Sequence, residues 1–167
     1  MGKVIVFFCS FLLLTACQFG DDSPDKEVID ELNPRPAVSF TYEGEEIDAK
    51  DVKSCFRNKC ADEGAVTGNL SRNDLTRGLD TSEVKNGDSI KVETQGIEPS
   101  EASYSNMFTR GGARSSEDHI LERREIEVNG TNKEDGKESY VIYLEWTNEE
   151  DEFLGSMTKA FEIEIVD

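Results

Sequence analysis

Four residues with catalytic chemistry lie close together in one segment of the chain: Ser115, Ser116, Asp118 and His119. A hydroxyl, an imidazole and a carboxylate are the groups that a hydrolase uses as nucleophile, base and orienting acid. Neighbouring residues on a loop seldom converge on one point, however. The chain also contains no G-x-S-x-G motif, which would hold a serine at a sharp turn between a strand and a helix. The sequence therefore predicts no catalytic residue, and we expect a protein that is not an enzyme.

Acidic side chains cluster in two turn-rich segments, residues 132–135 and 148–152. Glu149, Asp151 and Glu152 supply the hard oxygen ligands that calcium prefers. Neither segment has the D-x-[DN]-x-[DN]-G spacing of a calcium-binding loop. Acidic pairs, which could also act as a catalytic acid and base, arise by chance in a chain with 36 acids. We therefore expect solvated loops and assign no metal, and these three residues remain calcium candidates.

Basic residues are dense in one region only, which contains Arg110, Arg114, Arg123 and Arg124. Such a group could bind an anion or an acidic partner. In so acidic a chain, internal ion pairs with neighbouring carboxylates are the favoured interpretation. The region lacks the glycine-rich loop that cradles phosphates, and the sequence predicts no cofactor.

Lipid attachment is predicted at Cys17. Residues 4–14 are apolar apart from Ser10, Lys3 precedes them, and Leu-Thr-Ala leads directly to the cysteine. The apolar run is too short to cross a bilayer, which takes about 20 helical residues, but it suits the central region of a secretory signal.

Small residues before a cysteine at the end of such a run resemble the lipobox of bacterial lipoproteins. There the thiol receives a diacylglyceryl group and the preceding peptide bond is cut. The resemblance implies a signal peptide over residues 1–16 and a chain that is lipid-anchored through Cys17 on the extracytoplasmic face of the cell membrane. A plainly cleaved signal and an uncleaved anchor are the alternatives.

Two further cysteines follow in the exported part of the chain, Cys55 and Cys60, with four residues between them. In an exported chain an even number of cysteines indicates a disulfide, and closing so short a loop would contribute about 2 kcal/mol. Zinc is the competing interpretation, but it needs more ligands and His119 is the only histidine. The sequence therefore favours a Cys55–Cys60 disulfide.

The formal net charge of −18 limits the partners of the chain. It argues against nucleic acid, whose phosphates would be repelled, and against anionic lipid head groups within a Debye length of about 8 Å. Membrane attachment must then come from acyl chains at Cys17, since two chains make a stable anchor. Cationic proteins, peptides or divalent ions are the partners that this charge favours. Acidity that only keeps the chain soluble is the alternative.

The chain beyond the signal divides into a tether and a β domain. Residues 17–36 are polar, acidic and contain three prolines, as in a flexible tether. Beyond them apolar and polar residues alternate, which predicts strands over residues 37–42, 89–94, 139–147 and 160–166, with further candidates near Ile47 and over 97–107 and 119–128. Residues 51–57 lead into the cysteine pair. Residues 62–87 and 109–118 are predicted to be loops, with a short helical turn near 73–78. Short strands between turn clusters predict an all-β, antiparallel immunoglobulin-like β-sandwich over residues 37–167, with a barrel as the alternative.

The lipobox and the acidic tether are followed by a series of short motifs. These motifs are Ser54-Cys55-Phe56 with Cys60-Ala61-Asp62, Val84 to Ile90, Tyr140 with Trp146, and Phe161-Glu162-Ile163-Glu164. The order of these features resembles that of a known family. Small exported lipoproteins of Gram-positive spore-forming bacteria show S-Y-C-W…C-x-D, V-x-x-G-x-x-I and Y-x-Y…W…F-x-I-x-V in the same order. This chain departs in having Phe56 in place of the tryptophan and no aromatic residue between Ser54 and Cys55. The resemblance covers residues 37–166 and implies the sandwich fold and the location, but no reaction.

These inferences predict a lipid-anchored protein that presents a β-sandwich for binding a protein or peptide at the cell surface. The alternatives are a surface enzyme or inhibitor with an unidentified site, and a structural envelope protein. A charge-patterned or apolar patch at one end of the sandwich would favour binding. A deep pocket with converging polar groups would favour an enzyme.

Overall fold

A computed structural model describes residues 32, 34–56, 72–130 and 136–167. The signal peptide, Cys17, Cys60 and the acidic segment 132–135 lie outside the described residues and stay predictions. Within those ranges, no helix is long enough and apolar enough to cross a membrane.

Ten strands and one short helix make up the regular structure of the described residues. In chain order they are β1 (Ala37–Tyr42), β2 (Glu45–Glu46), β3 (Ala49–Cys55), α1 (Arg72–Thr76), β4 (Ser82–Lys85), β5 (Ser89–Gln95), β6 (Glu101–Arg110), β7 (Ala113–Ile120), β8 (Glu125–Glu127), β9 (Lys137–Thr147) and β10 (Phe153–Val166).

The strands form two sheets that pack face to face. One sheet has the order β2-β1-β5-β8, and the other has the order β3-β10-β9-β6-β7 with β4 also paired to β10. All pairs are antiparallel except β4, which runs parallel to the last residues of β10. The predicted all-β antiparallel sandwich is therefore confirmed.

The core lies between the sheets and follows the two-residue period of the strands. Alternate residues of β9 are fully or almost fully buried, and they are Tyr140, Ile142, Leu144 and Trp146. The ring centroids of Phe40 in one sheet and Phe161 in the other lie 4.7 Å apart. The alternation that predicted these strands thus arises because one face of each strand packs against the opposite sheet.

Helix α1 covers part of the outer face of the larger sheet. Leu75 packs there against Val141 and Ala160 in a small second cluster of buried residues. The hydroxyls of Thr76 and Thr81 donate to the Glu162 carboxylate at 3.3 and 3.2 Å, which attaches the helix and the segment after it to β10.

Two segments that the sequence predicts to be loops contain strands. Residues 109–118 complete β6 and begin β7, and the two strands are joined by Gly111 and Gly112 with φ angles of 60° and 72°. Positive φ at both turn residues matches the twist of a tight hairpin and suits glycine. The segment 62–87 contains β4, a strand with one fully buried residue, Val84.

Two boundaries also differ from the sequence-based expectation. Residues 119–128 were expected to form one strand, but His119 and Ile120 end β7, and only Glu125–Glu127 form β8. Leu32, in the predicted tether, is 2 % exposed and packs in the main core. The folded domain therefore includes a residue that precedes its first strand.

Candidate binding cleft

An open cleft of about 680 Å³ lies between the β6–β7 hairpin and the region around β8. It forms because the two sheets differ in extent on this side. Strand β8 ends the smaller sheet after only three residues, whereas β7 adds an eight-residue edge to the larger one. Seven of the eight β7 residues are exposed, so no strand of the described chain covers its inner face.

The pairing of β6 with β7 decides which side chains face the cleft. Tyr104 lies opposite His119 and Asn106 opposite Glu117, and directly paired residues point to the same side of a sheet. The rings of Tyr104 and His119 stack with centroids 4.8 Å apart. Tyr104 also contacts the ring of Tyr140 at 6.1 Å, which connects the wall of the cleft to the core.

Asn106 forms a buried polar part of the cleft lining. It is 6 % exposed, and its Nδ2 donates to Oε2 of Glu138 at 3.3 Å. Glu138 is fully buried and also accepts a hydrogen bond of 2.6 Å from the Tyr140 hydroxyl. The carboxylate fixes the orientation of the amide, because its oxygen attracts the amide nitrogen and repels the amide oxygen.

The carbonyl oxygen of Asn106 is left without a donor. Among the described residues, no group donates a hydrogen bond to its Oδ1. Buried polar atoms are nearly always hydrogen-bonded, so such an acceptor at the edge of a cleft needs a physical reason.

The walls of the cleft are strongly acidic. Four glutamates line it, and Arg123 is the only arginine or lysine among its described lining residues; the glutamates are Glu117, Glu122, Glu125 and Glu127. Burial, together with the nearby Glu127 carboxylate, raises the pKa of the Tyr104 hydroxyl. Burial and the Glu138 carboxylate likewise raise the pKa of Tyr140. The lining glutamates give the cleft a negative potential, which favours positive charge.

The basic region that the sequence singled out is divided in two by the fold. Arg110 lies at the tip of the hairpin, 3.6 Å from Glu117 and over the Phe108 ring. Arg124 lies beyond the far end of β7 and pairs with Glu98. The interpretation as internal ion pairs is confirmed for Arg110 and Arg124, and the four arginines do not form one patch.

The serine, aspartate and histidine candidates are not brought together. Ser115 and His119 share the inner face of β7 but are four residues apart, which is about 13 Å along a strand. Asp118 points to the other face and accepts a 2.5 Å hydrogen bond from the Ser105 hydroxyl. His119 alone of these residues contributes an inner-face ring to the cleft.

The calcium candidates belong to the turn between β9 and β10. Oδ1 of Asn148 accepts hydrogen bonds from the backbone N–H groups of Glu150 and Glu152, both at 2.9 Å, and its Nδ2 donates to the Glu152 carboxylate. The acidic loop is thus organised around an asparagine. In the described part of the chain, no three His, Cys, Asp or Glu residues, including Glu149, Asp151 and Glu152, are grouped so as to hold a metal ion.

Cys55 ends β3 and is buried. It takes part in a disulfide bond whose other cysteine lies outside the described residues. Its pairing with Cys60 stays a prediction, as does the lipidation of Cys17.

Among the residues in and behind the cleft, only His119 is predicted from the sequence as a candidate site residue; Tyr104, Asn106 and Glu138 are not. A usable signal was present in the strand period. Asn106 stands between Tyr104 and Phe108 on the inner face of β6, and Glu138 precedes Tyr140 on the inner face of β9. A polar residue that lies two positions along a strand from an aromatic core residue is on the same face and is directed towards the core.

Comparisons with known proteins identify no relative of this chain. No protein-family model, no curated protein and no solved structure matches the chain. The resemblance to small exported lipoproteins of spore-forming bacteria therefore stays a prediction.

Proposed function

We propose that this chain is an exported, non-enzymatic lipoprotein that binds a protein or peptide outside the membrane. In this proposal the diacylglyceryl group on Cys17 holds the chain at the extracytoplasmic face of the cell membrane, and the segment after it spaces the sandwich from the lipid. The sandwich itself presents the surface that meets the partner.

The observation that carries the proposal is the uncovered inner face of β7. In a two-sheet domain this face would normally be apolar and packed, but here it is polar and open to solvent. The cleft beside it has acidic walls and an aromatic pair. A charge-patterned surface at one side of the sandwich is the feature that favours binding over a purely structural role.

Photo-crosslinking on intact cells tests the proposal. A photoreactive phenylalanine analogue replaces Glu117 in β7 in one variant and Glu46 in β2 in the other. Both positions are exposed glutamates on edge strands, and they lie on different sheets. We expect a protein or peptide adduct from position 117 and little from position 46. Equal adducts from both positions, or none from position 117 when the chain is present at the cell surface, would contradict the proposal.

A further inference from the structure

We propose that the cleft holds a cationic side chain, lysine or arginine, from a basic segment of a peptide or protein, with Oδ1 of Asn106 as its buried acceptor. This inference rests on the proposed function and adds the chemistry of the partner. It is carried by the charge of the walls, by the unsatisfied acceptor and by the shape of the apolar contacts.

The charge of the walls selects a cation. Four glutamates line the cleft against Arg123, and Glu117 is already partly neutralised by Arg110 at 3.6 Å. Glu125 and Glu127 on β8 are exposed and flank the buried Ile126. A cleft with walls of one charge sign focuses the field and attracts ligands of the opposite sign.

Oδ1 of Asn106 favours a ligand that donates a hydrogen bond. The side chain is 94 % buried, its nitrogen is used by Glu138, and its oxygen accepts no hydrogen bond among the described residues. Ammonium and guanidinium groups carry donors and no acceptor, so either can satisfy the oxygen while its charge is balanced by the walls. A carboxylate or phosphate ligand would bring further acceptors and negative charge.

The apolar contacts suit the long stem of a basic side chain. The stacked rings of Tyr104 and His119 offer an aromatic surface on the inner face of β6 and β7. The methylene groups of lysine and arginine pack on such surfaces while the charged end reaches polar groups. A cation close to an aromatic face gains further attraction.

Other occupants fit less well. The described residues include no group of three His, Cys, Asp or Glu side chains that could hold a metal ion, so a bare cation lacks ligands here. A second copy of the chain would bring its own net charge of −18 to an acidic surface. Nucleic acid would be repelled for the same reason.

Calorimetric titration of the full-length chain in detergent tests the inference. The probes are the blocked peptide Gly-Arg-Gly-Arg-Gly, its citrulline counterpart, in which uncharged ureas replace the guanidinium groups, and putrescine, which carries the same number of positive charges. We expect the arginine peptide to bind at least about tenfold more tightly than the citrulline peptide, because hydrogen bonds to charged groups are the stronger ones. It should also bind more tightly than putrescine, because a planar guanidinium carries five N–H donors and stacks on aromatic rings, whereas an ammonium group is a compact charge.

Two pairs of substitutions that remove the same number of charges test where the peptide binds. Glu125→Gln with Glu127→Gln removes two carboxylates from β8, and Glu45→Gln with Glu46→Gln removes two from β2 at the other edge of the same sheet. The two substitutions in β8 should lower the affinity for the arginine peptide about fivefold. The two in β2 should lower it less than about twofold, since exposed charges act mainly at short range. The Asn106→Ala substitution should lower the affinity for the arginine peptide about tenfold, and thermal melting confirms that this variant is folded.

Four results would overturn the inference. They are no measurable binding of the arginine peptide, equal affinity for the arginine and citrulline peptides, equal loss in the two glutamine pairs, and putrescine binding as tight as peptide binding. Any of them, found together with a crosslinked partner at position 117, would leave the proposed function standing with a different partner chemistry. Absence of both the peptide affinity and the crosslink would remove both.

Discussion

Tyr140 shows how one side chain joins the core to the cleft. Its ring stacks on Phe161 with centroids 5.2 Å apart, and its hydroxyl donates to Glu138, which also accepts from Asn106. Oε2 of the buried Glu138 accepts one donor from its own strand, β9, and one from β6. The hydrogen bond between the strands helps to fix their register and orientation.

Replacing Tyr140 by phenylalanine should change the dependence of stability on alkaline pH. Burial, followed by the Glu138 carboxylate, raises the pKa of Tyr140 above its ordinary value of 10.0. Above pH 10 the unfolded chain releases this proton while the folded chain keeps it, so the stabilisation present below pH 10 is lost as the pH rises. The loss should be about 1.4 kcal/mol per pH unit for this one group.

Urea denaturation from pH 8 to 11 measures this effect. The Tyr140→Phe variant should be less stable at pH 8 by about 1–3 kcal/mol, because Glu138 loses a donor. Its free energy of unfolding should then fall less steeply above pH 10 than that of the unaltered chain. Parallel slopes for the two proteins would show that the tyrosine titrates alike in both states.

At the scale of strands, the sequence predicts the strands in which apolar residues that face the core alternate with polar residues that face solvent. Strand β1 was predicted with its observed bounds, and so were most of β5 and β9 and the second half of β10, because each has one face in the core. The first half of β10, from Phe153, was not predicted. Strand β7 was missed because Ser115, Glu117 and His119 on its inner face are polar. These residues face an open cleft, so the pattern that predicts strands is absent at the candidate binding site.

The remaining misses have different causes. Strand β4 is four residues long and pairs only with β10, so its one buried residue, Val84, gives no period to detect. The cleft depends on the unequal extent of the two sheets, which is a property of strand order. No local pattern in the sequence specifies that order.

Gly155 in β10 should not tolerate a side chain. The register between β10 and β9 shifts between Phe153 and Gly155, and a Cβ atom at Gly155 would lie 2.3 Å from a ring carbon of Phe56 and 3.1 Å from the Cys55 carbonyl oxygen. We expect Gly155→Ala to lower the free energy of unfolding by about 1–3 kcal/mol. Thermal and urea denaturation measure the change.

A double-mutant cycle assigns the cause of that loss. The ring of Phe56 packs against Trp146 at 5.9 Å, so Phe56→Ala is itself expected to be destabilising. In the Phe56→Ala background, Gly155→Ala should cost clearly less, since the ring that it meets is gone. Additive effects would mean that the backbone at Gly155, and not the ring, sets the requirement for glycine.

At the scale of the whole molecule, the proposal joins an anchor at one end of the chain to a cleft on the folded domain. The net charge of −18 allows both parts to act together, because it repels anionic lipid and attracts basic segments. In this proposal, acyl chains on Cys17 would hold the protein at the membrane without drawing its acidic surface onto the lipid.

Cys17→Ala should release the chain or leave its signal uncut, whereas Cys9→Ala should have neither effect. Both variants remove one thiol from the first residues of the chain, but only Cys17 follows the small residues that resemble a lipobox. Detergent phase partition and the intact mass of the product measure the outcome. Unchanged partition and mass for Cys17→Ala would contradict the predicted anchor.

Nuclear magnetic resonance can show whether a basic partner binds in the cleft beside β7. Amide shifts of the ¹⁵N-labelled chain are followed while the blocked Gly-Arg-Gly-Arg-Gly peptide is added. We expect progressive, saturable shifts concentrated in β6, β7 and β8, with the Asn106 side-chain amide and the His119 backbone amide among them, and little change in β2 or β3. Shifts confined to other strands, or none at saturating peptide, would contradict binding in the cleft.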